Sequence, residues 1–249
     1  NWFYSLIAMS TVLEDKKPFE TVLGYALVKD DKGEEMHKSK GNAIWFDDAA
    51  EDIGVDVMRW LYCAQQPELN LRFGTKHADE VRKKILLLWN VYVFFVTYAN
   101  IDKPKTKYLD KPPKHKLDRW ILSAAHSLVR KSNDSMEKYD TYSVMKSAEK
   151  FIDDLANWYV RRSRRRFWKS ESDADKAEAY NVLYTVLVML VRTLAPLVPF
   201  FTEAIFQNLK TDKCPESIHL CEYPQPKEEF IDDELNEEME RVLKVVKLG

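Results

Sequence analysis

Arginine fills five of the six positions from 161 to 166, as Arg161, Arg162, Arg164, Arg165 and Arg166. On a helix this stretch spreads guanidinium groups nearly all the way round, and they cannot all be paired internally. Trp158, Tyr159, Phe167 and Trp168 flank it and add surfaces for stacking. Arginine interleaved with aromatics is the composition that binds phosphate and unstacked bases. A structural role competes with that reading. Cations at a helix C-terminus complement its dipole, with Asp153, Asp154 and neighbouring acidic helices as counter-charges. The charges leave both roles open and give the helix no preferred face.

A second charged stretch is GEEMHKSKGN, residues 33–42. Gly33 breaks a strand-like run, Lys38 and Lys40 stand close together, and Gly41-Asn42 readily takes up positive φ. Alone it reads as a solvated turn or as half of a nucleotide site. Neither GxGxxG nor GxxxxGK[ST] occurs, so a nucleotide would be held without those loops. Cys214, His219 and Cys221 form a C-x4-H-x-C set with no fourth ligand nearby, which is poor spacing for zinc, so no metal centre is expected. His37, His77, His115 and His126 are scattered, and no Ser, His and acid grouping reads as a triad.

Elements must position these groups. The chain has 249 residues, 45% of them hydrophobic, enough for a sizeable core, which excludes wholesale disorder. A net charge of −2 conceals local segregation. Three cysteines without a leading signal sequence point to reduced thiols in a cytoplasmic setting. NWFYSLIAMSTVL starts without Met in an apolar run and reads as the cut end of something longer. The most apolar stretch, 182–201, is interrupted by Arg192, Pro196 and Pro199, which suits a buried helix ending near Ala195, and no membrane span is expected.

Residues 1–13 read as a helix and 21–28 as a short buried strand. Asp47 or Asp48 would cap the next helix, which breaks at Gly54, and Val55, Met58 and Leu61 or Tyr62 would share a face of its successor. From His77 onward the 3.6-residue period dominates, predicting helices over 78–100, 116–139, 141–168 and 175–195, another after Pro199, and an acidic amphipathic end over 228–248.

In this order the pieces resemble the C-terminal half of a class I aminoacyl-tRNA synthetase. The generic features are Met36, Lys38 and Ser39 of a K-M-S-K-S loop, Gly41-Asn42, the Gly54-x-Asp56-x-x-Arg59 helix, and Leu194-Ala195-Pro196 with Pro199-Phe200. Trp2-Phe3-Tyr4-Ser5-Leu6 and the Asn157-to-Trp168 run are similar to the isoleucyl family within that class. The resemblance implies a mainly α fold: the C-terminal edge of a Rossmann-like α/β catalytic domain (1–75), an α-helical bundle anticodon-binding domain (76–212) and a C-terminal extension (213–249). It implies that Lys38 holds the ATP triphosphate, within a nucleotide loop of Met36, His37, Lys38, Ser39 and Lys40. It also implies that Arg161, Arg162, Arg164, Arg165, Arg166, Trp158 and Trp168 contact tRNA, the isoleucine isoacceptors.

ATP with Mg and isoleucine would be substrates of the full-length enzyme. The H-I-G-H motif, amino-acid pocket and editing domain would precede Asn1, so none of these ligands is expected on these residues and no ligase activity is expected from them alone. Two departures stand out: Glu35 replaces the first lysine of the loop and His37 its central serine. Asp47-Asp48 replaces a usual Asp-Pro. The valyl, leucyl and methionyl enzymes share loop and bundle. A stand-alone RNA-binding module with a decayed loop and a scaffold with internally paired arginines are the other readings.

Overall fold

The structure, a computed structural model, describes residues 2–169 and 172–248. Helix α1 (Trp2–Glu14) forms as expected, while Asn1 lies outside the described residues. The strand expected over 21–28 is corrected. Only Val28–Lys29 (β1) pairs, in parallel, with Leu71–Arg72 (β2), Val28 opposite Leu71 and Lys29 opposite Arg72. Leu23, Tyr25 and Leu27 are exposed. Burying a parallel strand needs layers on both faces, and no described element covers this one.

Helix α2 (Phe46–Asp52) has Trp45 at its N-cap. Asp47 and Asp48 therefore sit in the first turn, where their charge still favours the helix dipole, and not at the cap. Gly54, at φ +94°, makes the expected break before α3 (Val55–Cys63). That helix buries Met58 as expected, together with Val57 and Trp60; Leu61 packs partly buried against the core, whereas Val55 is half-buried and Tyr62 faces solvent.

The bundle follows: α4 (Thr75–Asp102), α5 (Lys116–Met136), α6 (Thr141–Asp154), α7 (Arg161–Trp168), α8 (Asp173–Leu194) and α9 (Pro199–Leu209). The continuous helix expected over 141–168 is interrupted: Leu155–Val160 winds as a π-helical turn between α6 and α7. Side-chain caps set two starts. Asp140 accepts from the Ser143 N–H at 2.9 Å, and Ser172 from the Asp175 N–H at 3.2 Å.

Helix α8 is the spine of the core, buried almost continuously from Ala179 to Leu194. By length and composition alone α4 and α8 are each apolar enough to cross a membrane. For α8 the reason is interior packing, since 78% of its most apolar window is buried between other helices.

Two short motifs far apart in sequence join the loop-bearing unit to the bundle. Arg59 donates from Nε to the Leu197 carbonyl at 2.8 Å and from Nη2 to the Pro196 carbonyl at 3.0 Å. Asp56 accepts from the Phe201 N–H at the start of α9, capping that helix from another element. Beside them Trp60 Nε1 donates to Glu149 at 3.0 Å, and Lys84 pairs with the same carboxylate at 2.7 Å. The C-terminal segment ends in α10 (Asp233–Leu248), which buries Leu235 and Leu243. Arg119 meets Asp232 at 2.8 Å and Lys116 meets Glu238 at 2.8 Å, tying this segment to α5.

Candidate nucleic-acid interface and nucleotide loop

Helix α7 sorts its arginines by direction. Ser163 and Phe167 are buried, while Arg161, Arg162, Arg164 and Arg165 are exposed, so a preferred outer face exists. Among the described residues none of these four pairs with a carboxylate. The expected counter-charges serve elsewhere: Asp153 accepts from Asn157 at 2.7 Å, and Asp154 pairs with Lys150 at 3.6 Å. The Arg162 guanidinium lies 4.3 Å over the half-buried Trp158 ring. Arg164 lies 5.6 Å from both Phe94 and Trp168, and Trp168 is 55% exposed. Such cation–π contacts hold a guanidinium flat on an aromatic face while its edge remains free to donate.

Arg166, expected among the RNA contacts, is instead engaged inside the bundle. Its Nη1 donates to both Asp118 oxygens at 2.7 and 2.9 Å, its Nε to Asp175 Oδ1 at 2.9 Å, and its Nη2 to the Asp175 carbonyl at 3.3 Å. Asp118 is fully buried and also accepts from the Tyr159 hydroxyl at 2.8 Å. Burial alone would depress the Arg166 pKa, but hydrogen bonds to Asp118 and Asp175 outweigh it and hold the pKa above the ordinary arginine value. Burial and the adjacent Asp118 charge push the Tyr159 hydroxyl well above the usual tyrosine range. A charge so fully engaged binds the bundle, because removing it would leave Asp118 buried and unpaired. Sequence reasoning missed Asp118, and it missed Phe94 and Tyr98, which α4 brings beside Phe167 and Trp168. Only packing places them there.

The loop that carries Lys38 is ordered by an asparagine. Asn42 Oδ1 accepts from the His37 N–H at 2.9 Å, and Asn42 Nδ2 donates to Asp30 at 2.9 Å and to the Glu35 carbonyl at 3.1 Å. The Asn42 contact, with the Glu34 N–H, holds the Asp30 carboxyl below its usual pKa. Lys38–Lys40 forms one 3-10 turn that Gly41 closes at φ +68°. His37, Lys38, Ser39 and Lys40 are exposed, and Met36 is half-buried. The Lys38 ammonium sits 4.5 Å over the Trp45 ring. Glu35 and His37, the two departures, stand 3.5 Å apart as an acid–imidazole pair. A carboxylate beside a phosphate site would repel it, and here Glu35 has His37 as its local partner. Among the described residues no three His, Cys, Asp or Glu side chains gather to hold a metal ion, and Cys214 and Cys221 are free thiols.

A lysine loop on a parallel strand pair, docked through the Asp56–Arg59 helix onto a helical bundle with an arginine-tryptophan face, is the layout of the class I tRNA synthetases. Residues 1–73 match the family described as tRNA synthetases class I (I, L, M and V). Residues 118–249, more than half of the chain, match the anticodon-binding domain of tRNA ligase, and the chain belongs to that family.

Isoleucine–tRNA ligase of Dehalococcoides mccartyi strain 195 is 45% identical over 255 residues, covering 100% of this chain and 25% of that protein. The isoleucine–tRNA ligase of Thermus thermophilus is 40% identical, covering 100% and 24%. The chain thus spans about a quarter of the length of these relatives. The fold is similar to the LeuRS of a LeuRS-tRNA-LeuAMS complex from Agrobacterium radiobacter K84 (TM-score 0.72, 15% identity, 92% of this chain and 27% of that one). It is also similar to Mycobacterium tuberculosis methionyl-tRNA synthetase with methionyl-adenylate (TM-score 0.59, 19% identity, 71% and 36%).

Proposed function

We propose that this chain is the nucleotide-loop and anticodon-binding part of an isoleucine–tRNA ligase that works in the cytoplasm. The observation that carries the reading is the outer face of α7, where Arg161, Arg162, Arg164 and Arg165 have no carboxylate partners among the described residues and stand beside Trp158 and Trp168. Unpaired guanidinium groups supply phosphate contacts, and the indole rings accept unstacked bases. The partner is tRNA of the isoleucine isoacceptors; identity of 45% with an isoleucine–tRNA ligase supports isoleucine over leucine, valine or methionine. Residues 1–75 form the catalytic-domain portion, 76–212 the anticodon-binding bundle and 213–249 its C-terminal extension.

In the full-length enzyme Lys38 leaves the Trp45 ring for the ATP triphosphate. There its charge stabilises the phosphate charge that develops as pyrophosphate departs, with Mg arriving on the nucleotide. Met36, His37, Ser39 and Lys40 shape that loop. Binding of the 249-residue chain to an isoleucine tRNA transcript and to an anticodon-swapped control, across a salt titration, tests the reading. Affinity that falls steeply with salt, as release of counterions from about four phosphates requires, and that weakens on the swap, is expected. Equal binding to both transcripts would reduce the site to backbone contact, and no binding at low salt would overturn it.

A further inference from the structure

The inward-facing residues of α6 include Val144, Ala148, Phe151, Ile152 and Leu155, spaced as one side of an α-helix. Carried on at about 100° per residue, that stripe would next point inward near residues 159, 162 and 166. Tyr159 falls on that stripe and Arg166 still reaches inward to Asp118, but the buried positions beside them are Val160, Ser163 and Phe167, each one later. The π-helical turn at Leu155–Val160 explains the offset, because a π turn accommodates an extra residue and rotates everything beyond it. Without that rotation Arg162 would point into the bundle. With it, a serine takes the inward place and Arg162 comes out onto Trp158.

We infer that the π turn and the Tyr159–Asp118–Arg166 cluster form one positioning device that sets the phase of α7, exposing four arginines to RNA by committing the fifth to the core. This rests on the RNA-binding reading and assigns roles within it. Tyr159 lies inside the π turn and Arg166 lies two turns further on, yet both bond the same Asp118 carboxylate on α5. The carboxylate therefore fixes both ends of the rotated segment. Arg166 also holds Asp175 at the start of α8, so the phase is pinned against two helices. The three residues are positioning residues and touch no RNA.

The test is RNA affinity of the 249-residue chain carrying Arg166→Lys, Asp118→Asn, both together, or Tyr159→Phe, each checked by circular dichroism and thermal melting to be folded at the assay temperature. Arg166→Lys and Asp118→Asn are each expected to weaken isoleucine tRNA binding about ten-fold, a size typical of residues acting through others. The double variant should be no weaker than the poorer single one, since both remove the same pin. Tyr159→Phe, which conserves volume, should weaken binding about three-fold.

If Arg166 touched phosphate itself, Asp118→Asn would free it and leave or raise the affinity; that result overturns the inference. Folded variants that bind like the wild type would overturn it too, leaving the RNA reading intact. A wild type that fails to bind would remove both.

Discussion

Acid should loosen the C-terminal segment through one histidine. His126 on α5 is 1% exposed, its ring stacked 4.7 Å from Phe230, and its Nδ1 accepts the Lys227 N–H at 3.1 Å. That bond requires a neutral ring, because a protonated Nδ1 cannot accept. Burial, and secondarily the Lys227 charge, lower the His126 pKa from 6.5 to about 4, with Glu229 opposing weakly. The unfolded chain therefore binds the proton more tightly than the folded one. The contribution to stability is whole above pH 6.5 and is lost as the pH falls toward about 4.

A shift of this size corresponds to at most about 3 kcal/mol, of which about 2 kcal/mol should be gone at about pH 5. Urea unfolding of the wild type and His126→Asn at about pH 7.5 and pH 5 measures it, since an asparagine oxygen can accept from Lys227 without titrating. The wild type should lose about 2 kcal/mol more than the variant between the two conditions. Equal losses would refute the assignment of that pH dependence to His126.

Arg162→Ala should weaken tRNA binding and lower the steepness of its salt dependence by about one counterion, read from affinities over a salt series. Arg59→Met removes two hydrogen bonds to the Leu197 and Pro196 carbonyls and should cost about 2–3 kcal/mol in urea unfolding, with the loop unit loosening before the bundle in hydrogen exchange. Asp140→Ala strips the cap of α6 and should cost about 1 kcal/mol in the same assay while leaving RNA affinity unchanged.

What the sequence by itself determined was periodic and local. The long 3.6-residue patterns marked α4, α5 and α8 because a helix that buries one side repeats that pattern whatever it packs against. Gly54 marked a break and Pro199 a helix start through backbone constraints that travel with the residue. The arginine run announced a charged surface, and the order of the motifs carried the family resemblance.

The tertiary structure decided which of those charges is free. Five neighbouring arginines are alike in sequence, and only the approach of Asp118 and Asp175 from two other helices turns Arg166 inward. The π turn at Leu155–Val160 is not legible in the 3.6-residue pattern, which runs unbroken across it. The apolar stretch at 21–28 failed in the other direction: its composition allows a buried strand, but burial is a property of what lies on top of it, and no described element does.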